Sequence, residues 1–153
     1  MKRPAFIFFI SFFLFAIAGN CSAQTADRLV REVRESAADA CVKVLYYFKA
    51  DVDDVSISDK GFVEAQDNMW HLKGETYEVF TDGNATWVLD ASSKEAVIEP
   101  AWTYDDLERF YESLQASGSV FYIVVDSKTE SPKKPVSDFT PVLGAEWIIT
   151  DLR

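Results

Sequence analysis

The chain has 153 residues, with 25 acidic side chains against 15 basic ones and a formal net charge of −10. That balance repels nucleic acid and anionic membrane surfaces, whose phosphates call for the opposite sign. Two cysteines, one of them in an N-terminal leader, give no internal disulfide framework, so a core must hold by packing.

The leader comes first. Met1-Lys2-Arg3 is a short positive start, Ala5 to Ala18 is apolar except for Ser11, and small residues follow as far as Ala23. These are the parts of a secretory signal, and the apolar stretch falls short of the roughly 20 residues of a membrane span. Asn20 is a poor neighbour for lipidation at Cys21, whereas Cys21 at −3 and Ala23 at −1 suit cleavage after Ala23. We expect a signal peptide over 1–23 and one soluble domain over 24–153. Removing Lys2 and Arg3 leaves 13 basic residues against 25 acidic ones, a net charge of about −12. Cys41, the thiol left after cleavage, is expected to be a small buried apolar residue.

In residues 26–38 an apolar stripe of Leu29, Val30, Val33 and Ala37, continued by Ala40, predicts a helix. Cys41 to Phe48 is β-branched and aromatic, a predicted strand, and the acidic stretch 51–60 reads as a connection. Runs at 61–66, 69–73, 76–81, 85–90 and 95–98, separated by Asp67-Asn68, Gly74, Asp82-Gly83 and Ser92-Ser93, predict a meander of antiparallel strands. Thr103 and Asp106 resemble a capping box for a second helix, with Leu107, Phe110, Tyr111 and Leu114 on one face and Gly118 ending it. Val120 to Val125 is apolar on both faces, the pattern of a strand covered on both sides. A Pro-Lys-Lys-Pro loop follows, then a last strand near 146–150.

Few residues point to chemistry. His71 is the only histidine, and we expect a surface or edge-strand residue. No nucleophile elbow, CxxC, HExxH or phosphate loop is present, and one His with one mature Cys is a poor zinc set. An EF-hand loop begun at Asp51 fails at Ser56 and Phe62, where Gly and Glu are needed, which leaves a solvated acidic turn. We therefore expect a protein that is not an enzyme and takes no metal or cofactor.

Apolar surface remains. Trp70, Leu72, Val79, Trp87, Leu89, Phe121, Ile123 and Trp147 sit on predicted strands, and the two amphipathic helices could cover them. They form either a plain core or the lining of an apolar pocket, and periodicity does not separate the two.

The stretches Gly61-Phe62-Val63-Glu64-Ala65, Met69-Trp70-His71-Leu72, Phe80 to Leu89 with its Asp82-Gly83…Trp87 hairpin, and Lys94-Glu95-Ala96-Val97-Ile98 resemble the sheet core of LolA-like outer-membrane lipoprotein carriers. The ending, Asp138-Phe139-Thr140-Pro141 and then Trp147-Ile148-Ile149-Thr150-Asp151-Leu152-Arg153, is similar to the F-x-P…V-x-D-L-R finish of the LolA-like chaperones. The likeness covers most of the mature chain, which is shorter than fuller members between Pro100 and Asp138.

The resemblance implies an α+β fold: an antiparallel sheet curved into an incomplete β-barrel, covered by an N-terminal helix and a short lid helix. It implies a monomeric periplasmic carrier or chaperone. Acyl lipids or lipoproteins would be its ligands, with inner- and outer-membrane lipoprotein-sorting proteins as partners. The expected cavity and lid residues are Trp70, Leu72, Val79, Trp87, Leu89, Leu107, Phe110, Leu114, Phe121, Ile123 and Trp147. The competing expectation is a secreted interaction module of the same fold with a filled core.

Overall fold

A computed structural model describes residues 23–52, 54–116 and 120–153. Residues 1–22 of the expected signal peptide, Cys21 among them, Asp53, and Gly118, expected to end the second helix, lie outside the described residues.

The elements in chain order are α1 (Ala23–Asp39), β1 (Cys41–Val52), β2 (Val55–Gln66), β3 (Met69–Lys73), β4 (Tyr77–Thr81), β5 (Ala85–Asp90), β6 (Glu95–Pro100), α2 (Tyr104–Ala116), β7 (Val120–Ser131), a 3-10 turn (Val136–Phe139) and β8 (Ile148–Asp151). The strands form one large, open sheet in the order β7-β1-β2-β3-β4-β5-β6-β8.

Tight turns set most of this order. Consecutive strands from β1 to β6 pair antiparallel. At the Asp82-Gly83 turn, Gly83 takes φ +87° and the Asp82 carboxylate accepts hydrogen bonds from the Asn84 (2.8 Å) and Ala85 (3.0 Å) amides. Gly supplies the left-handed backbone and Asp the local acceptor, as a tight hairpin requires.

Two expectations change. The stretch 51–60 is mostly strand: β2 starts at Val55, across a tight turn where Asp54 has φ 64°. Its exposed polar residues hide the pattern, because on the inward phase Ile57 and Asp59 alternate with Ser56, Ser58 and Lys60. β7 is an edge strand paired with β1; Val124 and Val125, on alternate faces, are both half-buried, and the side chains of 120–123 lie outside the described residues. The sheet is also not wholly antiparallel, since β8 lies parallel to β6. The chain between β7 and β8 crosses the sheet from one edge to the other, and that route brings β8 in alongside β6 in the same direction.

Alternation gives the sheet two unlike faces. On the face toward the helices one row crosses six strands in register: Val44, Val63, Leu72, Val79, Val88 and Val97. All but Val97 are buried, and they pack with Val30, Val33 and Ala37 of α1 and Tyr104 and Leu107 of α2. The opposite face carries the row Lys43, Glu64, His71, Phe80, Trp87 and Ile98, polar toward β1 and apolar toward β6.

The segment from Ser131 to Ile148 straps this second face. The Gln66 side-chain amide donates to the Lys134 carbonyl (2.8 Å), and the Lys134 amide donates back to Gln66 Oε1 (2.7 Å). Lys134 Nζ reaches Glu64 at 2.8 Å. Farther along, Phe139 is fully buried, and Leu143 and Trp147 pack against Phe80, Leu89 and Ala96. Cys41 is buried where β1 meets the end of β7, as expected, and burial pushes its thiol pKa up.

Gly61 is the position where the sheet tolerates no side chain. A Cβ there would sit 1.9 Å from the Lys73 carbonyl oxygen of β3, a backbone atom that cannot move alone. Gly61→Ala should therefore cost about 1–3 kcal/mol, the usual penalty of overpacking. Gly144→Ala, which meets only the flexible end of Glu146, should cost far less. Urea unfolding midpoints of the two variants test this, and equal midpoints would contradict the close β2–β3 approach.

Candidate functional site

The side chains anticipated as one lining do not share a face. Trp70, Leu72, Val79 and Leu107 are buried together in the layer between sheet and helices. Trp87, Leu89 and Trp147 lie on the opposite side, where Leu89 is buried beside Phe80 and Ala96 with Trp87 and Trp147 half-buried against them. The reason is the phase of β5: Val88 is the residue in register with Val79, so Trp87 and Leu89 must point the other way. The side chains of Phe110, Leu114, Phe121 and Ile123 lie outside the described residues.

The candidate site is the helix-facing layer, and one turn organises its closed end. At Asp67, between β2 and β3, the backbone takes φ 49°. Its amide donates to the Ala37 carbonyl in the last turn of α1 (2.7 Å). Its carbonyl accepts from the Tyr104 hydroxyl at the start of α2 (3.0 Å). Its carboxylate pairs with Lys133 of the strap (2.8 Å). Both helices and the strap are thus fastened to one corner of the sheet.

Helix α2 starts where its capping box places it. The Thr103 amide donates to the Asp106 carboxylate (2.8 Å) and the Asp106 amide donates to the Thr103 hydroxyl (3.2 Å). The loop before it is held by the Trp102 amide on Thr86 Oγ1 (3.1 Å) and the Trp102 indole N–H on Glu99 (3.1 Å). Tyr104 then packs edge-on to Trp70, ring centres 5.0 Å apart, and burial raises its pKa. Beside this corner α2 also meets α1, where the exposed Arg34 pairs with Asp105 at 3.3 Å and lies over the Tyr104 ring. An exposed pair of this kind contributes little, about 0–1 kcal/mol.

A second polar group is set into the same apolar layer. Asp59 is 3% exposed, and its carboxylate accepts from the Tyr46 hydroxyl (2.9 Å) and the Glu75 amide (2.8 Å). Gly74 sits so close that a Cβ there would collide with the Asp59 carboxylate. Burial raises the Asp59 pKa, and the two hydrogen bonds only partly oppose it. Burial and the nearby carboxylate together push Tyr46 far up.

His71 is neither on the surface nor on an edge strand. It is half-buried on interior strand β3, stacked on Phe80 with ring centres 4.2 Å apart and edge-on to Phe62. Its Nε2 lies 2.7 Å from Glu78, and that hydrogen bond lowers the Glu78 pKa. The neighbours of the pair include the two aromatic rings and Lys73, 4.0 Å from Glu78. Asp51 and Asp54 are exposed at the β1–β2 turn, where Asp51 accepts a hydrogen bond from Ser56. Among the described residues no group of three or more His, Cys, Asp or Glu is placed to hold a metal ion, and no helix is long and apolar enough to cross a membrane.

Sequence reasoning did not single out Asp59, Tyr46, Arg34 or the role of the Asp67 turn. Asp59 had a signal: it is the polar residue on the inward phase of a strand, two before Gly61 and four before Val63. The partners of Arg34 and Asp67 are distant in sequence and left no local trace. The chain matches no family model and no curated protein.

The Asp59 carboxyl gives a pH test with a definite sign. Its native pKa is above the unfolded value of about 3.9, so the folded state takes up this proton first as the pH falls. Its contribution to stability is complete below about pH 3.9 and is lost as the pH rises through the native value. Relative to Asp59→Asn, which stays neutral, the parent chain should lose stability between pH 4 and neutrality. Denaturation midpoints of both proteins across that range check it, and parallel profiles would contradict a raised pKa.

Proposed function

We propose that this chain is a periplasmic lipid or lipoprotein carrier of the LolA-like kind. Acyl chains would be held between the helix-facing row of the sheet and the two helices, on a sheet curved into an incomplete barrel. In this reading the chain is exported, cleaved after Ala23, and has no enzymatic activity. The observation that carries the proposal is the corner fastening. Two helices face an apolar row across six strands, both are hydrogen-bonded to the sheet at the Asp67 turn, and beside that corner α2 meets α1 through an exposed ion pair.

A cover held at one corner can open without unfolding the sheet beneath it. An acyl chain gains about 0.8 kcal/mol for each CH₂ it buries, which sets the scale against which such a cover must close. Trp70, Leu72, Val79 and Leu107 are the lining side chains of this reading. Trp87, Leu89 and Trp147 serve the strap instead. The sequence resemblance in the β3–β6 hairpins and in the Asp151-Leu152-Arg153 ending supports the same reading.

A second reading has an observation of its own. Trp70 and Leu72 are fully buried, as in a filled core, which favours a secreted interaction module.

Binding of a fluorescent long-chain fatty acid separates the two. The carrier reading expects saturable binding that Leu107→Asp abolishes while circular dichroism stays unchanged. It also expects faster release from Arg34→Glu, whose exposed side chain ties α2 to α1. Absence of binding by the cleaved parent chain would favour the filled-core module.

A further inference from the structure

Over the described side chains the two edges of the sheet differ. Along its second half β7 presents exposed Asp126, Lys128, Thr129 and Glu130. Charges at an edge discourage another strand from adding there. β8 is exposed along its whole length and carries Ile148 (63% exposed) and Ile149 (52%), with Leu152 (56%) just beyond. Ile148 faces the helix side of the sheet and Ile149 the strap side, so this edge projects past the cover on both faces.

The backbone of β8 is open in a defined pattern. The Ile148 amide donates to the Lys94 carbonyl and the Leu152 amide to the Ile98 carbonyl, both at 2.8 Å. By alternation, residues 148, 150 and 152 point toward β6, while the N–H and C=O groups of Ile149 and Asp151 point away from the sheet. These two residues are spaced to pair with the same two residues of an identical strand running the other way.

We propose that β8 is a self-association edge, where a second copy of this chain adds antiparallel about a twofold axis through Thr150. In that register Ile149 pairs with the partner's Asp151 and Asp151 with the partner's Ile149, giving four backbone hydrogen bonds. Ile148 then lies opposite the partner's Leu152 on the helix side, twice by symmetry, so the exposed apolar side chains cover one another. The charge of Asp151 is already met by Arg153 at 2.6 Å, so the facing isoleucine does not meet a bare carboxylate. Other registers pair fewer of these outward groups or set Asp151 against its own copy. The two sheets join into one continuous sheet, and the contact is isologous. The family resemblance implies a monomer instead. The proposal concerns a surface away from the helix-facing layer and does not depend on the carrier reading.

Four paired residues make a small interface, so the dimer is weak and concentration-dependent. Sedimentation of the cleaved chain up to near-millimolar concentration should show a monomer–dimer equilibrium. Ile149→Pro should abolish it, because that substitution removes an outward N–H and leaves the hydrogen bonds to β6 in place. Ile148→Lys should do the same, with both variants keeping the parent circular dichroism.

Crosslinking fixes the register. At the twofold, Thr150 forms a non-hydrogen-bonded pair with Cα atoms about 4.5 Å apart, within disulfide range. Thr150→Cys, with Cys21 absent after cleavage or replaced by Ser and Cys41 buried, should oxidise to a covalent dimer. Ile148→Cys should not, since its own copy lies about 13 Å away along the strands. A parent chain that stays monomeric throughout, a Thr150→Cys variant that fails to crosslink, or an Ile149→Pro variant that dimerises as the parent does would overturn the proposal. An edge used by a different protein would appear as the first of these results.

Discussion

One row of side chains, Val44, Val63, Leu72, Val79, Val88 and Val97, crosses six strands on one face of the sheet, and the rest of the molecule is arranged around it. A strand slipped by one residue would turn its member of this row to the other face, so burial of the row fixes the register of β1 to β6 together. The same row requires a cover, because an apolar face of that width cannot be left to water. The helices supply it with Val30, Val33, Ala37, Tyr104 and Leu107.

The cover is not spread evenly over the row. α1, α2 and the strap all meet the sheet at the Asp67 turn, through its amide, its carbonyl and its carboxylate in turn. The opposite face is closed differently. Its polar end is tied to the strap by Gln66 and Glu64 through Lys134, and its apolar end is sealed by Leu143 and Trp147. This division of labour underlies the proposed function. Both faces are packed, the helix-facing one by the larger buried cluster, and its cover is hydrogen-bonded at a corner where the exposed Arg34–Asp105 pair also lies.

Much of the fold was legible in the sequence because it rests on local chemistry. The Asp82-Gly83 hairpin, the Thr103/Asp106 cap and the alternation over 69–73 and 85–90 each signal their structure within a few residues. β2 was cut short because its first half is an exposed hairpin arm whose polar residues hide its one inward carboxylate. The parallel placement of β8 depends on the path of the strap, which no local pattern states. The anticipated lining mixed both faces because Trp87 and Leu89 are as apolar as Trp70 and Leu72. Their side is set by the partner Val88 takes across the sheet, which is a matter of register and not of composition. Leu107 is buried where its 3.6-residue period places it, since that period marks one face of a helix.

The most direct measurement of the central claim is methyl NMR of the cleaved chain with a spin-labelled long-chain fatty acid. The account predicts selective broadening of the Val44, Val63, Leu72, Val79, Val88 and Leu107 methyl signals, with Leu89 beneath the strap and Leu143 within it unaffected. Broadening confined to Leu89 and Leu143, or no selective broadening at saturating lipid, would contradict it.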